Sequence, residues 1–171
     1  GDIYALDVET GCVKWNFSAS GEVRTGIIMD QWENGEKPNK RPYIYFGDIL
    51  ANEYALDAQT GELVWKIKSD DHPNATRTAT SALFEDILFL PISGLEVIPA
   101  FDDAYECCTF RGGLLAVEAS TGKTLWKKHS IPVPAKYSGK TSVGTRMFGP
   151  SGAPIWTSPN VDKKRRYVYI G

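Results

Sequence analysis

Cys107 and Cys108 are neighbours in a stretch, residues 94–113, that also carries Glu96 and Arg111. Adjacent thiols can close only a strained ring, because a disulfide ordinarily sets its Cα atoms about 4.4–6.8 Å apart and a trans peptide only about 3.8 Å. The pair is either a stiff vicinal disulfide or two reduced buried thiols, and the residues alone leave both open. Metal-type Cys-x-x-Cys spacing is absent, and Cys12, in a turn, is expected to be free. His72 and His129 stand singly, so the sequence shows neither a histidine-rich metal site nor a histidine-based triad. Asp102, Asp103 and Glu106 form an acidic cluster, but without a partner at the spacing glycoside hydrolysis requires, and they read as a solvated loop. What remains is an insertion dense in unusual chemistry. It is the best local candidate for a site, because functional groups concentrate on loops held by rigid scaffolds.

The scaffold is written in a phrase that recurs three times. Tyr4-Ala5-Leu6-Asp7-Val8-Glu9-Thr10-Gly11 closes on Trp15, Tyr54-Ala55-Leu56-Asp57-Ala58-Gln59-Thr60-Gly61 on Trp65, and Leu115-Ala116-Val117-Glu118-Ala119-Ser120-Thr121-Gly122 on Trp126. The tryptophans are spaced a little more widely than the roughly 40–50 residues of propeller blades, which predicts a β-propeller with one enlarged blade. Within each copy an alternating apolar run predicts a strand, Asp-x-x-Thr-Gly a turn with side-chain caps and a positive-φ glycine, and the run to Trp the returning strand. Trp combines a large apolar face with one N–H donor, which suits a wedge between blades.

Placing strands on this repeat predicts the end of a blade at 1–17, a full blade at 23–68, a second at 77–130 split by the 94–113 insertion, and the start of a further blade with strands at 153–158 and 167–170. A closed propeller has about four to eight blades, so the expectation is a fragment of a larger all-β protein. The chain is 42% hydrophobic and 12% aromatic with a net charge of -2, which excludes a polyanion-binding surface as its defining feature. No apolar run reaches the roughly 18 residues of a membrane span, and no signal-peptide pattern opens the chain. Residues 31–41 read as a polar excursion without an assigned role. The basic run Lys163-Lys164-Arg165-Arg166 reads as a solvated hairpin tip.

The phrase Ala-x-Asp-x-x-Thr-Gly-x-x-x-Trp, matched at Ala5 to Trp15 and Ala55 to Trp65 and with Glu118 for Asp in the third copy, resembles the tryptophan-docking signature of the pyrroloquinoline quinone (PQQ) dehydrogenase propellers. Asp70-Asp71-His72-Pro73, Cys107-Cys108-Thr109-Phe110-Arg111-Gly112 and Gly149-Pro150-Ser151-Gly152-Ala153-Pro154-Ile155-Trp156 resemble the polyvinyl alcohol dehydrogenase branch of that superfamily. The resemblance runs through essentially the whole chain.

It implies an eight-bladed periplasmic propeller that holds PQQ and a divalent cation, usually Ca²⁺, oxidises an alcohol and passes electrons to a cytochrome c. Ser93-Gly94-Leu95-Glu96 is similar to the segment that offers small groups to PQQ and a carboxylate to the metal, which makes Ser93 and Gly94 cofactor contacts and Glu96 a metal ligand. Trp156 resembles the tryptophan that forms a flat wall against the quinone. Thr78, or Thr80, matches a threonine near the cofactor, Arg24 is placed to pair with a PQQ carboxylate, and Arg111 resembles an Arg-Gly pair after the metal segment. The resemblance places a PQQ-facing vicinal disulfide one blade earlier, around Val23-Arg24-Thr25, where this chain has no cysteine. The family's catalytic aspartate and a further metal ligand would lie beyond Gly171, and no Cys-x-x-Cys-His haem motif is present. Two other classes compete. A scaffold propeller of outer-membrane assembly needs the docking tryptophans without Glu96, Trp156 and the cysteine pair, and a hydrolase or carbohydrate-binding propeller needs paired carboxylates or exposed aromatics at its mouth. The sequons at Asn16 and Asn74 would matter only in a eukaryotic secretory pathway.

Overall fold

A computed structural model describes residues 1–30 and 42–171; the polar excursion expected at 31–41 lies outside the described residues. The first hairpin pairs β1 (Asp2–Leu6) with β2 (Val13–Ser18). A four-stranded antiparallel sheet follows in the order β3 (Ile28–Met29), β4 (Tyr43–Gly47), β5 (Asn52–Asp57), β6 (Leu63–Lys68). The next sheet has β7 (Ala75–Thr76) and β8 (Ala82–Phe84) both pairing with β9 (Ile87–Gly94), then β10 (Gly113–Glu118) and β11 (Thr124–His129). Two hairpins complete the chain, β12 (Lys136–Lys140) with β13 (Arg146–Gly149) and β14 (Asn160–Asp162) with β15 (Tyr167–Tyr169).

The three copies of the phrase fold alike. Each forms a hairpin with a register shift at the same place, between Ala5 and Leu6, Ala55 and Leu56, and Ala116 and Val117. Asp7 Oδ1 accepts the backbone N–H of Glu9 and Thr10, and Asp57 Oδ1 those of Gln59 and Thr60. Glu118 in the third copy instead takes the Thr121 hydroxyl, its longer side chain reaching past the turn amides. In all three copies the threonine hydroxyl accepts the second N–H after it, from Cys12, Glu62 and Lys123.

Neighbouring copies lock through the closing tryptophan. Trp15 Nε1–H donates to Ala58 O at 3.2 Å, and Trp65 Nε1–H to Ala119 O at 2.9 Å. The indole rings lie on Gly61 and Gly122, where an added Cβ would meet the Trp15 ring at 2.6 Å and the Trp65 ring at 2.9 Å. The phrase glycine is thus required by its φ, +75° and +73° in these two copies, and by the ring that covers it.

Alternation along the strands fills the space between sheets. Leu88, Leu90 and Ile92 of β9 pack with Tyr45, Trp65, Leu115 and Val117 on one side. Phe89 packs on the other with Leu114, Ala116 and Ile155, and Val161 and Val168 of the last hairpin lie against them. The first hairpin contributes Ile3 to a cluster with Ile44, Phe46, Tyr54 and Leu56. Radially stacked antiparallel sheets docked by tryptophans are the blades of a β-propeller. No helix among the described residues is long and apolar enough to cross a membrane.

Two expectations change. Residues 153–158 do not form a strand: Pro150, Pro154 and Pro159 remove backbone donors, and the ladder begins only at Asn160. The hairpin β12–β13 was not expected, because its sequence, rich in Gly, Ser, Thr and Lys, lacks an alternating apolar signal. The basic run is a hairpin tip, with Arg165 on Asp162 and Arg166 forking onto Glu85. Hydrogen bonding to Arg166 holds the Glu85 carboxyl below its usual range.

Candidate functional site

β9 ends at Gly94, and the chain leaves the sheet into the insertion through a short 3-10 turn, Pro99–Phe101. It returns through Cys107 and Cys108, which are joined as a disulfide, to Gly113 at the start of β10. Gly94 is dictated by this return, since an added Cβ would lie 2.4 Å from the Phe110 ring. Gly112 meets the incoming segment just as closely: its Cβ would fall 2.0 Å from Ala153 O, and Gly112 N–H donates to Gly152 O.

Where these pieces meet there is a cavity of about 440 Å³, within the usual range for small-molecule sites. Gly94, Glu96, Val97 and Ala100 line it from the outgoing arm of the insertion, Cys108 and Phe110 from the returning arm, and Ser151, Gly152, Pro154 and Trp156 from the following segment. The lining is mostly apolar and contains one carboxylate. Trp156 is 46% exposed, so a broad ring face remains available.

Glu96 is only 4% exposed, and its oxygens are the hub of the site. Oε1 accepts the Thr109 N–H at 2.9 Å and the Tyr105 hydroxyl at 3.2 Å, and Oε2 accepts the Phe110 N–H at 2.9 Å. The carboxylate therefore binds the backbone of the segment that follows the disulfide. His72 approaches from the loop before β7. Its Nδ1 accepts the Asn74 N–H, which leaves the proton of the neutral ring on Nε2, 3.0 Å from Thr109 Oγ1 and 3.7 Å from Glu96 Oε1. Asn74 also donates its side-chain amide to the Tyr105 hydroxyl. Burial, followed by the charge of Glu96 and the hydrogen bond to it, pushes the Tyr105 phenol above its ordinary value.

Of the residues expected at a site, the structure brings Gly94, Glu96 and Trp156 onto one cavity. Ser93 lies just behind it. Fully buried, it donates to Ile155 O at 2.6 Å and accepts from Thr78 Oγ1 at 3.0 Å, tying β9 to the segment that carries Trp156. Thr80 accepts the Gly26 N–H. Arg24 is exposed and paired with Glu22, and Arg111 points to the carbonyls of Ile131 and Pro132; neither lines the cavity. Cys12 is free and exposed. His72, Asn74 and Tyr105 were not assigned to a site from the sequence, where His72 reads as a lone histidine in a loop and Asn74 only as a sequon; the one signal was that His72 and Tyr105 fall within or near the segments that carried the resemblance.

The donor set limits what the chain can hold. Among the described residues no group of three or more His, Cys, Asp or Glu side chains surrounds a metal position. Glu96 offers roughly four lone-pair sites, three of them used, so it can contribute one oxygen to a hard cation. The cavity's walls are otherwise mostly apolar, with the Trp156 and Phe110 rings among them.

Similarity to known proteins extends over nearly the whole chain. Residues 1–161 match the family model PQQ_2, described as outer membrane protein assembly factor BamB. The chain is 37% identical over 171 residues to a polyvinylalcohol dehydrogenase of Sphingopyxis sp. (strain 113P3), covering all of this chain and 26% of that protein. It is 38% identical over 173 residues to a polyvinylalcohol dehydrogenase of Pseudomonas sp., covering 99% of this chain and 26% of the relative. The solved quinohemoprotein alcohol dehydrogenase ADHIIG from Pseudomonas putida HK5 superposes with a TM-score of 0.69 at 20% identity, over 99% of this chain and 25% of that one. The chain thus spans about a quarter of the length of the relatives it matches.

Proposed function

The chain belongs to the PQQ_2 family, and from that premise we propose that it forms the part of a PQQ-dependent alcohol dehydrogenase that walls the cofactor with Trp156 and Cys107–Cys108 and supplies Glu96 to its cation. The observation that carries this reading is the convergence of Glu96, Cys108 and Trp156 on one mostly apolar cavity. The whole-length similarity to polyvinylalcohol dehydrogenases supports alcohol oxidation as the activity of the full-length protein. A secondary or polymeric alcohol is the proposed substrate, a cytochrome c the electron acceptor and the periplasm the compartment.

When bound, PQQ supplies the two-electron acceptor for the alcohol, with a cation such as Ca²⁺ polarising its reactive carbonyl. The chain's own residues bind and orient. Trp156 presents an exposed ring face for stacking. The disulfide brings an apolar, rigid surface to the cavity lining, and Gly94 and Gly152 keep that lining free of side chains there. Glu96 would give one oxygen to the cation while its remaining lone pairs hold the insertion backbone. Ser93 and Thr78 act from behind by fixing Ile155, the neighbour of Trp156. Arg24 and Arg111 are proposed as contacts to the cofactor's outer carboxylates, which requires both to leave their present partners. No residue of the chain is assigned as the catalytic base.

The cysteine pair reaches the cavity from a different position in the chain than the resemblance implied.

The test is titration of PQQ with Ca²⁺ into the full-length protein, read by quinone absorbance and by alcohol-dependent dye reduction, with Glu96→Ala and Trp156→Ala alongside. Saturable binding that weakens at least about tenfold in each variant is expected, as for loss of a stacking ring or a charged ligand. Absence of PQQ binding by the folded protein would reject the enzyme and leave the reading of a scaffold propeller of outer-membrane assembly.

A further inference from the structure

The hairpin β12–β13 stands apart from the four- and five-stranded sheets. It pairs with itself as a two-stranded sheet and touches the rest of the chain through the insertion. A lone two-stranded hairpin is marginal in water, so these contacts matter to it, and their pattern shows what it holds.

The contacts centre on the cysteine pair. Phe148 N–H donates to Cys107 O at 2.6 Å and Cys108 N–H donates back to Phe148 O at 3.3 Å, with Met147 bridged to Cys107 in parallel register. Arg146 forks onto Glu106 through Nε at 2.7 Å and Nη2 at 2.6 Å, and the Thr145 hydroxyl donates to Asp103 O. The Arg146 guanidinium also lies over the Phe148 ring, 5.6 Å from its centre. The disulfide is therefore gripped from both sides. β13 holds Glu106, Cys107 and Cys108, and Glu96 holds the next amides, those of Thr109 and Phe110.

We propose that β12–β13 is a positioning arm for the disulfide wall of the cavity, with Arg146 as a positioning residue that acts through Glu106. The arm fixes where Cys108 stands in the lining without itself touching the occupant, because no residue of β12 or β13 lines the cavity. A planar fork matched to a carboxylate fixes orientation as well as distance, which a lysine at the same place would not. That the wall faces PQQ rests on the function proposed above; that the arm holds the wall does not.

The experiment uses the full-length protein with R146E, E106R and the swap R146E/E106R, each checked for folding by circular dichroism. Hydrogen exchange of peptides covering residues 105–110 is followed without cofactor, and PQQ with Ca²⁺ is then titrated by quinone absorbance. Each single reversal is expected to speed exchange at residues 105–110 about fivefold and to weaken PQQ binding several-fold, and the swap to restore both. R146K, which keeps the charge and loses the fork, is expected between wild type and R146E and serves if a reversal fails to fold. Unchanged exchange at 105–110 while the hairpin itself opens would overturn the proposal, as would failure of the swap to restore it. Faster exchange with PQQ affinity unmoved would overturn the arm's role in shaping the site. Faster exchange in a protein whose wild type binds no PQQ would leave the arm intact and reject the cofactor reading instead.

Discussion

Glu96 shows how much one buried carboxylate can organise. Its three hydrogen-bond donors come from a loop that has no ladder of its own there, and two of them are main-chain N–H groups, one of which belongs to the buried Phe110. Glu96→Gln replaces one acceptor oxygen with an NH₂ that faces a donor, so it should cost about 1–3 kcal/mol. Urea unfolding should show this as a lower midpoint with an unchanged slope. Tyr105 carries a pH dependence into the same cluster. Its phenol is raised in the folded state, so its contribution is complete below about pH 10, the ordinary tyrosine value, and is lost as pH rises through the higher folded value. Thermal melts of wild type and Tyr105→Phe should therefore differ at neutral pH and converge in strongly alkaline buffer. The places of Glu96 and Trp156 at the cavity were readable because short motifs carry them. Those of His72, Asn74 and Tyr105 were not, because they meet Glu96 only when separate loops close on one another, and nothing in their local spacing encodes that meeting.

At the scale of elements the repeated phrase predicted three hairpins from turn chemistry and alternation, and all three form with the same register shift. The elements that escaped are those whose cause is not local: the proline-rich segment before β14, held by the insertion and β9, and the β12–β13 hairpin, whose partners lie in the insertion. The phrase glycine allows a graded test. Gly11 has a φ of +71° and open space around its Cβ direction, so Gly11→Ala pays only for the backbone, about 1–2 kcal/mol. Gly61→Ala and Gly122→Ala carry the same backbone term and also drive a methyl into the Trp15 or Trp65 ring. Both should lower the urea midpoint clearly more than Gly11→Ala does; equal losses would show that the ring contact is unimportant.

Across the molecule, the sheets β3–β6 and β7–β11 are joined by different chemistry at two of their contacts. One joint is the tryptophan lock, readable in the sequence. The other is wholly buried and was not readable: Glu53 on β5 takes Arg77 Nε at 3.0 Å and the Ser81 hydroxyl at 2.6 Å, while Arg77 Nη2 donates to Ser81 Oγ at 2.6 Å. Arg77 and Glu53 are both fully excluded from solvent, and Gly47 leaves room for them, since its Cβ would press on both. Such a pair specifies how two blades meet more than it stabilises them, because desolvation offsets most of the attraction. Arg77 Nη1, which has no hydrogen-bond partner among the described residues, adds to that cost. Removing one member alone strands a buried charge, so Arg77→Met should lose about 3–5 kcal/mol, whereas Arg77→Met with Glu53→Leu should recover most of it. Chemical unfolding of the full-length protein would read both. A double variant no more stable than the single one would mean that the pair contributes net stability as well as register between the blades.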